Sequence, residues 1–203
     1  MVCSYNVPSL PHVEDCHPQA ASIPLYPSLP HPSPPTSATT VFNQVACITP
    51  HLFLAAATAL DNNTLGGKVT LVINTTRDLP LYPLAGARSM RVSVEDDCKD
   101  DISKHFASVT TAMRDEVEVG GVVLVHCVAG VSRSATICLA YLTRYHCSLG
   151  EAWHHVKTIR PWIRPNHAFM QQLGEWEKLV RPGMEVTNIE RLKGSEGRLA
   201  RKG

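Results

Sequence analysis

Gly121-Val122-Val123-Leu124-Val125-His126-Cys127-Val128-Ala129-Gly130-Val131-Ser132-Arg133-Ser134, running on into Ala135-Thr136-Ile137-Cys138-Leu139-Ala140-Tyr141-Leu142, decides how this chain is read. Gly121 to Val125 is apolar and rich in β-branched residues, the pattern of a short buried strand, whereas Ser134 to Leu142 favours a buried helix. His126 to Ser134 is therefore a strand-to-helix turn. Such a turn aims successive backbone N–H groups at one point and adds the positive end of a helix dipole, so it suits a tetrahedral dianion. Cys127 is placed at the floor of that cup.

The residue types fit one chemistry. A cysteine at a helix N-terminus and near cations is favoured as the thiolate, the form that attacks electrophiles. Arg133, six positions on, can fold back over the loop and offer a planar fork of donors to two phosphoryl oxygens, which a lysine cannot match. The backbone N–H groups of Val128, Ala129, Gly130, Val131 and Ser132 are the remaining phosphate ligands, with Gly130 allowing a tight turn around the anion. Ser134 can give its hydroxyl to the sulfur and ease its departure. The competing reading, a small buried cysteine and a surface arginine, leaves the placement of strand, glycine, serine and helix without a purpose. His126 has two readings: it orients the loop through ring hydrogen bonds, or it is a core histidine with its ring hydrogen bonds satisfied.

The run from His126 to Ser134 resembles the His-Cys-x5-Arg-Ser signature of the cysteine-dependent protein tyrosine phosphatases. Ala129 to Thr136, followed by Ala140-Tyr141-Leu142, is most similar to the small atypical dual-specificity phosphatases. The resemblance extends over residues 44 to 180. Val72-Ile73-Asn74-Thr75-Thr76 is similar to the family's second strand, and Arg160-Pro161-Trp162-Ile163-Arg164-Pro165-Asn166 to its helix connection, with Asn166 supporting the loop. One departure is Leu52-Phe53-Leu54-Ala55, where the family usually has a glycine after the leucine.

The resemblance implies a protein phosphatase that hydrolyses phosphotyrosine and phosphoserine or phosphothreonine through a phosphocysteine intermediate, without metal or cofactor. It also implies phosphoprotein substrates, with mitogen-activated protein kinases as a target class. Two other readings stay open. One is a phosphoprotein-binding scaffold that has lost turnover. The other is a phosphatase for a non-protein ester such as lipid or RNA, against which Val128, Ala129 and Val131 add no cations for a polyanionic group.

Expelling an alkoxide or phenoxide needs a proton donor, and a carboxyl on a loop is suited to that task. Met90-Arg91-Val92-Ser93-Val94 alternates like a half-buried strand and runs into Glu95-Asp96-Asp97-Cys98-Lys99-Asp100-Asp101. The resemblance places the acid two residues after the last valine, at Asp96. Alternation agrees, since Val92 and Val94 face the core and Asp96 continues their direction. Asp97 is the nearest rival, and a purely solvated acidic turn, with Asp100 or Asp101 starting the next helix, is the third reading.

The chain has 203 residues, 22.2 kDa and a formal net charge of +1. That is room for one domain with extensions, and the charge gives no reason to expect nucleic acid. Seven cysteines lack Cys-x-x-Cys spacing, so neither a zinc site nor a disulfide framework is expected and a reducing intracellular compartment, cytoplasmic and also nuclear, fits. No apolar stretch reaches the roughly 18 residues of a membrane span, and residues 1 to 20 do not have the pattern of a signal peptide. Residues 1 to 40 hold nine of the fifteen prolines. Residues 1–43 are expected to be a disordered spacer, with three P-x-x-P matches from Pro24 to Pro35 that lack flanking basic residues.

Over residues 44–181 strand-like and helix-like segments alternate. Lys68 to Thr76 and Arg91 to Val94 read as strands, and Ile102, Phe106, Val109 and Met113 mark one face of a helix. Ser148-Leu149-Gly150-Glu151 has capping-box spacing and opens a helix that must stop by Pro161. Asn166 caps the next, with Phe169, Leu173 and Trp176 inward. Trp153, Trp162 and Trp176 are read as packing residues. The pattern predicts an α/β fold, a central mixed and mostly parallel sheet flanked by helices, with the site at a strand's carboxyl end. Residues 182–203 are expected to be a polar, basic tail, frayed from Met184.

Overall fold

The computed structural model describes residues 44–60, 67–82 and 84–194. The proline-rich extension and the last basic residues lie outside that range.

Five strands form one sheet: β1 Ala46–Thr49, β2 Leu52–Ala56, β3 Leu71–Asn74, β4 Arg88–Arg91 and β5 Val123–Cys127, in the order β1-β2-β5-β3-β4. Only the β1–β2 pair is antiparallel, and β5 runs parallel to both its neighbours. All five residues of β5 are buried, as a central parallel strand covered on both faces requires, hence its unbroken apolar run. β2 is continuous despite lacking the family's glycine, and the irregularity falls in β1 between Cys47 and Thr49.

The helices among the described residues are α1 Phe106–Glu118, α2 Arg133–Tyr145, α3 Leu149–Ile159, α4 His167–Val180 and α5 Ile189–Gly194, with two 3-10 turns, Ala57–Ala59 after β2 and Ser103–His105 leading into α1. Central to them is α2, which packs on α1, α3 and α4 as well as on β2 and β5. Alternation in the strands divides the core. Leu52, Leu54, Ile73, Val123 and Val125 join the helices' buried residues, whereas Ala55, Val72 and Leu124 meet Ala59, Val69 and Leu84 in a second cluster.

Local signals placed most elements. Ile102, Phe106, Val109 and Met113 are all fully buried. Ser148 and Glu151 form the reciprocal capping box at α3, which ends two residues before Pro161, and Asn166 Oδ1 accepts from Phe169 N at 3.0 Å to cap α4. Trp153 and Trp176 are buried, and Trp162 stacks under the Arg160 guanidinium.

Three expectations are corrected. The strand read over Lys68 to Thr76 contracts to Leu71–Asn74. The strand read over Arg91 to Val94 is shifted, because its ladder with β3 covers Arg88 to Arg91 and closes with Val92 N donating to Asn74 O. Val92 and Val94 are nevertheless fully buried and Ser93 exposed, so the alternation was real. The tail is not frayed from Met184. Glu177, 2% exposed, accepts from Thr187 N at 2.8 Å and Thr187 Oγ1 at 3.0 Å, and Ile189 and Leu192 of α5 pack on the core. α5 crosses α4 at Gly174, where a Cβ would lie 2.6 Å from Ile189 Cδ1.

Candidate active site

The candidate loop spans the gap between β5 and α2, at the carboxyl end of the central strand, where ligand crevices of open α/β sheets form. Every carbonyl from Val128 to Ser132 is bound from outside. Val128 O accepts from Ala57 N, Ala129 O from Arg160 Nη2, Gly130 O from Arg160 Nε, Val131 O from Arg164 N, and Ser132 O from Thr136 N, at 2.8 to 3.2 Å. A peptide whose carbonyl is held outward turns its amide N–H the other way. The amides in those five peptides, which belong to Ala129 through Arg133, can therefore face one anion.

Cys127 lies beneath them, 2% exposed, its Sγ accepting from Gly130 N and Ser134 Oγ, both at 3.2 Å. Gly130 has φ +67°, and a Cβ there would meet Arg160 Nη2 at 2.6 Å and Ala55 O at 2.7 Å. Only glycine fits this turn without displacing the loop. Arg133 is the first residue of α2 and largely buried. Its Nη1 donates to Val94 O at 3.3 Å, while its Nε has no hydrogen-bond partner and is thus available to an anion in the cup.

The acidic segment is sorted by hydrogen bonding. Asp100 Oδ2 accepts from Glu95 N and from Arg77, Asp97 from Lys99 N, and Asp101 from Ser103 N ahead of α1. Asp96 alone of these carboxylates turns to the loop. Its Oδ1 accepts from Ser132 Oγ at 2.6 Å and Asn166 Nδ2 at 3.1 Å, and its Oδ2 lies 3.9 Å from Arg133 Nε. Asp97 Oδ1 accepts instead from the backbone of its own turn, at Lys99 N.

His126 is fully buried, and neither ring nitrogen has a hydrogen-bond partner. Tyr82 meets it edge-on, with centroids 6.0 Å apart. Burial pushes the imidazole down to about 4, opposed by the nearby Cys127 backbone and aided by Arg91. Neither reading is met in full, because the ring is buried in the core yet makes none of the hydrogen bonds that orienting the loop or a satisfied core position would require. Arg160 is a residue the sequence reading did not single out. It is fully buried, grips the Ala129 and Gly130 carbonyls and donates Nη1 to Gln44 O at 2.8 Å, while burial lowers its guanidinium to about 10. Only its place beside Pro161 at the end of α3 set it apart in the sequence. Among the described residues no group of three or more His, Cys, Asp or Glu is placed to hold a metal ion, and no helix is long and apolar enough to cross a membrane.

Residues 52–179 match the family described as dual specificity phosphatase, catalytic domain. Human dual specificity phosphatase 28 is 37% identical over 137 residues, covering 66% of this chain and 78% of that protein. Human dual specificity protein phosphatase 14 is also 37% identical, over 138 residues, covering 66% and 69% respectively. The crystal structure of a mouse putative dual specificity phosphatase complexed with zinc tungstate superposes with a TM-score of 0.66 at 33% identity, over 74% of this chain and 94% of that one. The matched segment runs from β2 into the last turn of α4 and so takes in the loop, the acidic segment and Arg160 together. A match of that extent makes the chain a member of the dual specificity phosphatases, of the small atypical kind, and hence a protein phosphatase of the cysteine-dependent tyrosine phosphatase superfamily.

Proposed function

We propose that this phosphatase works through a phosphocysteine, with Cys127 as nucleophile, Asp96 as acid and then base, and Arg133 with the Val128–Ser132 amides as the phosphate cradle. The Cys127 thiolate attacks phosphorus, the bond to the leaving oxygen breaks, and Asp96 gives that oxygen its proton. Water then attacks the phosphocysteine, Asp96 takes a proton from it, the P–S bond breaks and inorganic phosphate leaves. Ser134 donates to the sulfur as it departs. Arg133 binds two equatorial oxygens, with most effect where charge gathers in the transition state.

The observation that carries this reading is the hydrogen bonding of the Val128 to Ser132 carbonyls, which turns the amides of Ala129 to Arg133 the other way, with Gly130 N donating to the Cys127 sulfur. An oxyanion complex of the tungstate kind seen with the mouse relative is the chemistry such a cradle would accept. Phosphotyrosine, phosphoserine and phosphothreonine in proteins are the proposed substrates, with phosphorylated mitogen-activated protein kinases as a class to test. The proposed compartment is the reducing interior of the cell, supported by the free thiols of Cys47, Cys98, Cys127, Cys138 and Cys147.

The test is turnover of phosphopeptides by single variants. Cys127→Ser is expected to abolish hydrolysis and keep phosphopeptide binding, and Arg133→Lys to lose most activity despite its retained charge. Asp96→Asn should slow alkyl phosphates and ordinary phosphopeptides by roughly 10² to 10⁴ and activated aryl phosphates less, while Asp97→Asn does little. Appreciable turnover by folded Cys127→Ser would overturn the scheme.

A further inference from the structure

Asp96 is fastened by one carboxylate oxygen only. Oδ1 takes both donors, the Ser132 hydroxyl at 2.6 Å and the Asn166 side-chain amide at 3.1 Å, whereas Oδ2 makes no hydrogen bond to a described residue. The two donors are themselves tied, because Asn166 N donates to Ser132 Oγ at 3.1 Å. Ser132 is 5% exposed and ends the phosphate loop, and Asn166 is the N-cap of α4. Three segments distant in sequence thus converge on one oxygen atom.

We propose that Ser132 and Asn166 are positioning residues that pin Asp96 Oδ1 and thereby assign the transferred proton to Oδ2. The inference rests on the reading of Asp96 as the acid and says how that acid is aimed. An oxygen already accepting two hydrogen bonds has its lone pairs occupied, so the proton resides on the other. Pinning Oδ1 removes the carboxyl's rotation about its Cβ–Cγ bond, which would otherwise spread the proton over many directions. Oδ2 is the oxygen on the Arg133 side, 3.9 Å from Nε, where a phosphoryl group held by the arginine brings its leaving oxygen. Ser132 therefore has two tasks: its backbone N–H serves the cradle, and its hydroxyl serves the acid.

The role predicts a loss that depends on the leaving group. Full-length Ser132→Ala, Asn166→Ser and Asp96→Asn are compared on an activated aryl phosphate and on an alkyl phosphate or phosphoserine peptide, with thermal midpoints recorded for each. Serine at 166 keeps an N-cap oxygen and loses the amide that reaches Asp96. Both positioning variants are expected to lose about tenfold or more on the poor leaving group and several-fold less on the activated one, the worth of one hydrogen bond to a charged group. Equal loss on both substrates, or no loss on either, overturns the proposal, the first outcome assigning the residues to loop structure alone. If Asp96→Asn itself falls equally on both substrates, the acid assignment fails instead, so the two failures are distinguishable.

Discussion

At the scale of single residues, buried groups set the sharpest expectations. His126 is neutral and fully buried, with its pKa pushed down to about 4 from 6.5. Between those values the unfolded chain binds the proton and the folded one does not, so this stabilising contribution is present above pH 6.5 and is lost as pH falls toward 4. The shift corresponds to about 3 kcal/mol at most. Urea unfolding at pH 7 and pH 4.5 should show a smaller drop for His126→Gln than for the wild type, and equal drops would remove His126 as the source. Gly130→Ala combines a left-handed φ with contacts of 2.6 and 2.7 Å to Arg160 and Ala55. It is expected to cost about 1 to 3 kcal/mol of stability and, by shifting the cradle, most of the activity, measured by denaturant titration and aryl phosphate turnover.

At the scale of elements, helix termini carry the connections. The Ser148 hydroxyl and Glu151 carboxylate cap α3 reciprocally, and Ser148→Ala should cost about 1 kcal/mol with activity retained, read as a shift in the urea midpoint. The end of the same helix supplies Arg160, which joins α3 to the loop of another βα unit. Arg160→Met would leave the Ala129, Gly130 and Gln44 carbonyls without their donor, at about 1 to 3 kcal/mol for each buried group left unpaired. Because two of these carbonyls shape the cup, oxyanion affinity should fall along with the thermal midpoint. Unchanged tungstate or vanadate binding in a folded Arg160→Met protein would show that the other outward bonds suffice.

At the scale of the whole molecule, helices α3 and α4 and the C-terminal segment fold against each other. Glu177 accepts from Leu149 N as well as from Thr187, linking the start of α3 to the approach to α5. Ending the chain after Gly183 would remove the Thr187 donors from a buried carboxylate and uncover the surface beneath Ile189 and Leu192. The unfolding midpoint should fall as one cooperative transition, while turnover per folded molecule persists, since α5 packs on α3 and α4. A separate early transition confined to the segment would mean that it docks without sharing the core's stability.

The sequence by itself determined the order of strand, loop and helix around Cys127, although the strand runs from Val123 to Cys127 rather than from Gly121 to Val125, and it determined the amphipathic face of α1 and the caps of α3 and α4. Each is written in consecutive residues or at helical spacing, so hydrophobic period and capping chemistry suffice to read it. It also narrowed the candidates for a proton donor to neighbouring aspartates, with the family resemblance, helped by period-two alternation, favouring Asp96. Only the tertiary structure decided that Asp96 meets Ser132, 36 positions away, and Asn166, 70 positions away. The same holds for Arg160 gripping a loop 30 residues upstream and for Thr187 seated on Glu177. In those cases the partner is chosen by how helices and loops settle on a common sheet. Local propensity carries no record of that choice, because the hydrogen bonds satisfy buried groups that exist only once the core has closed.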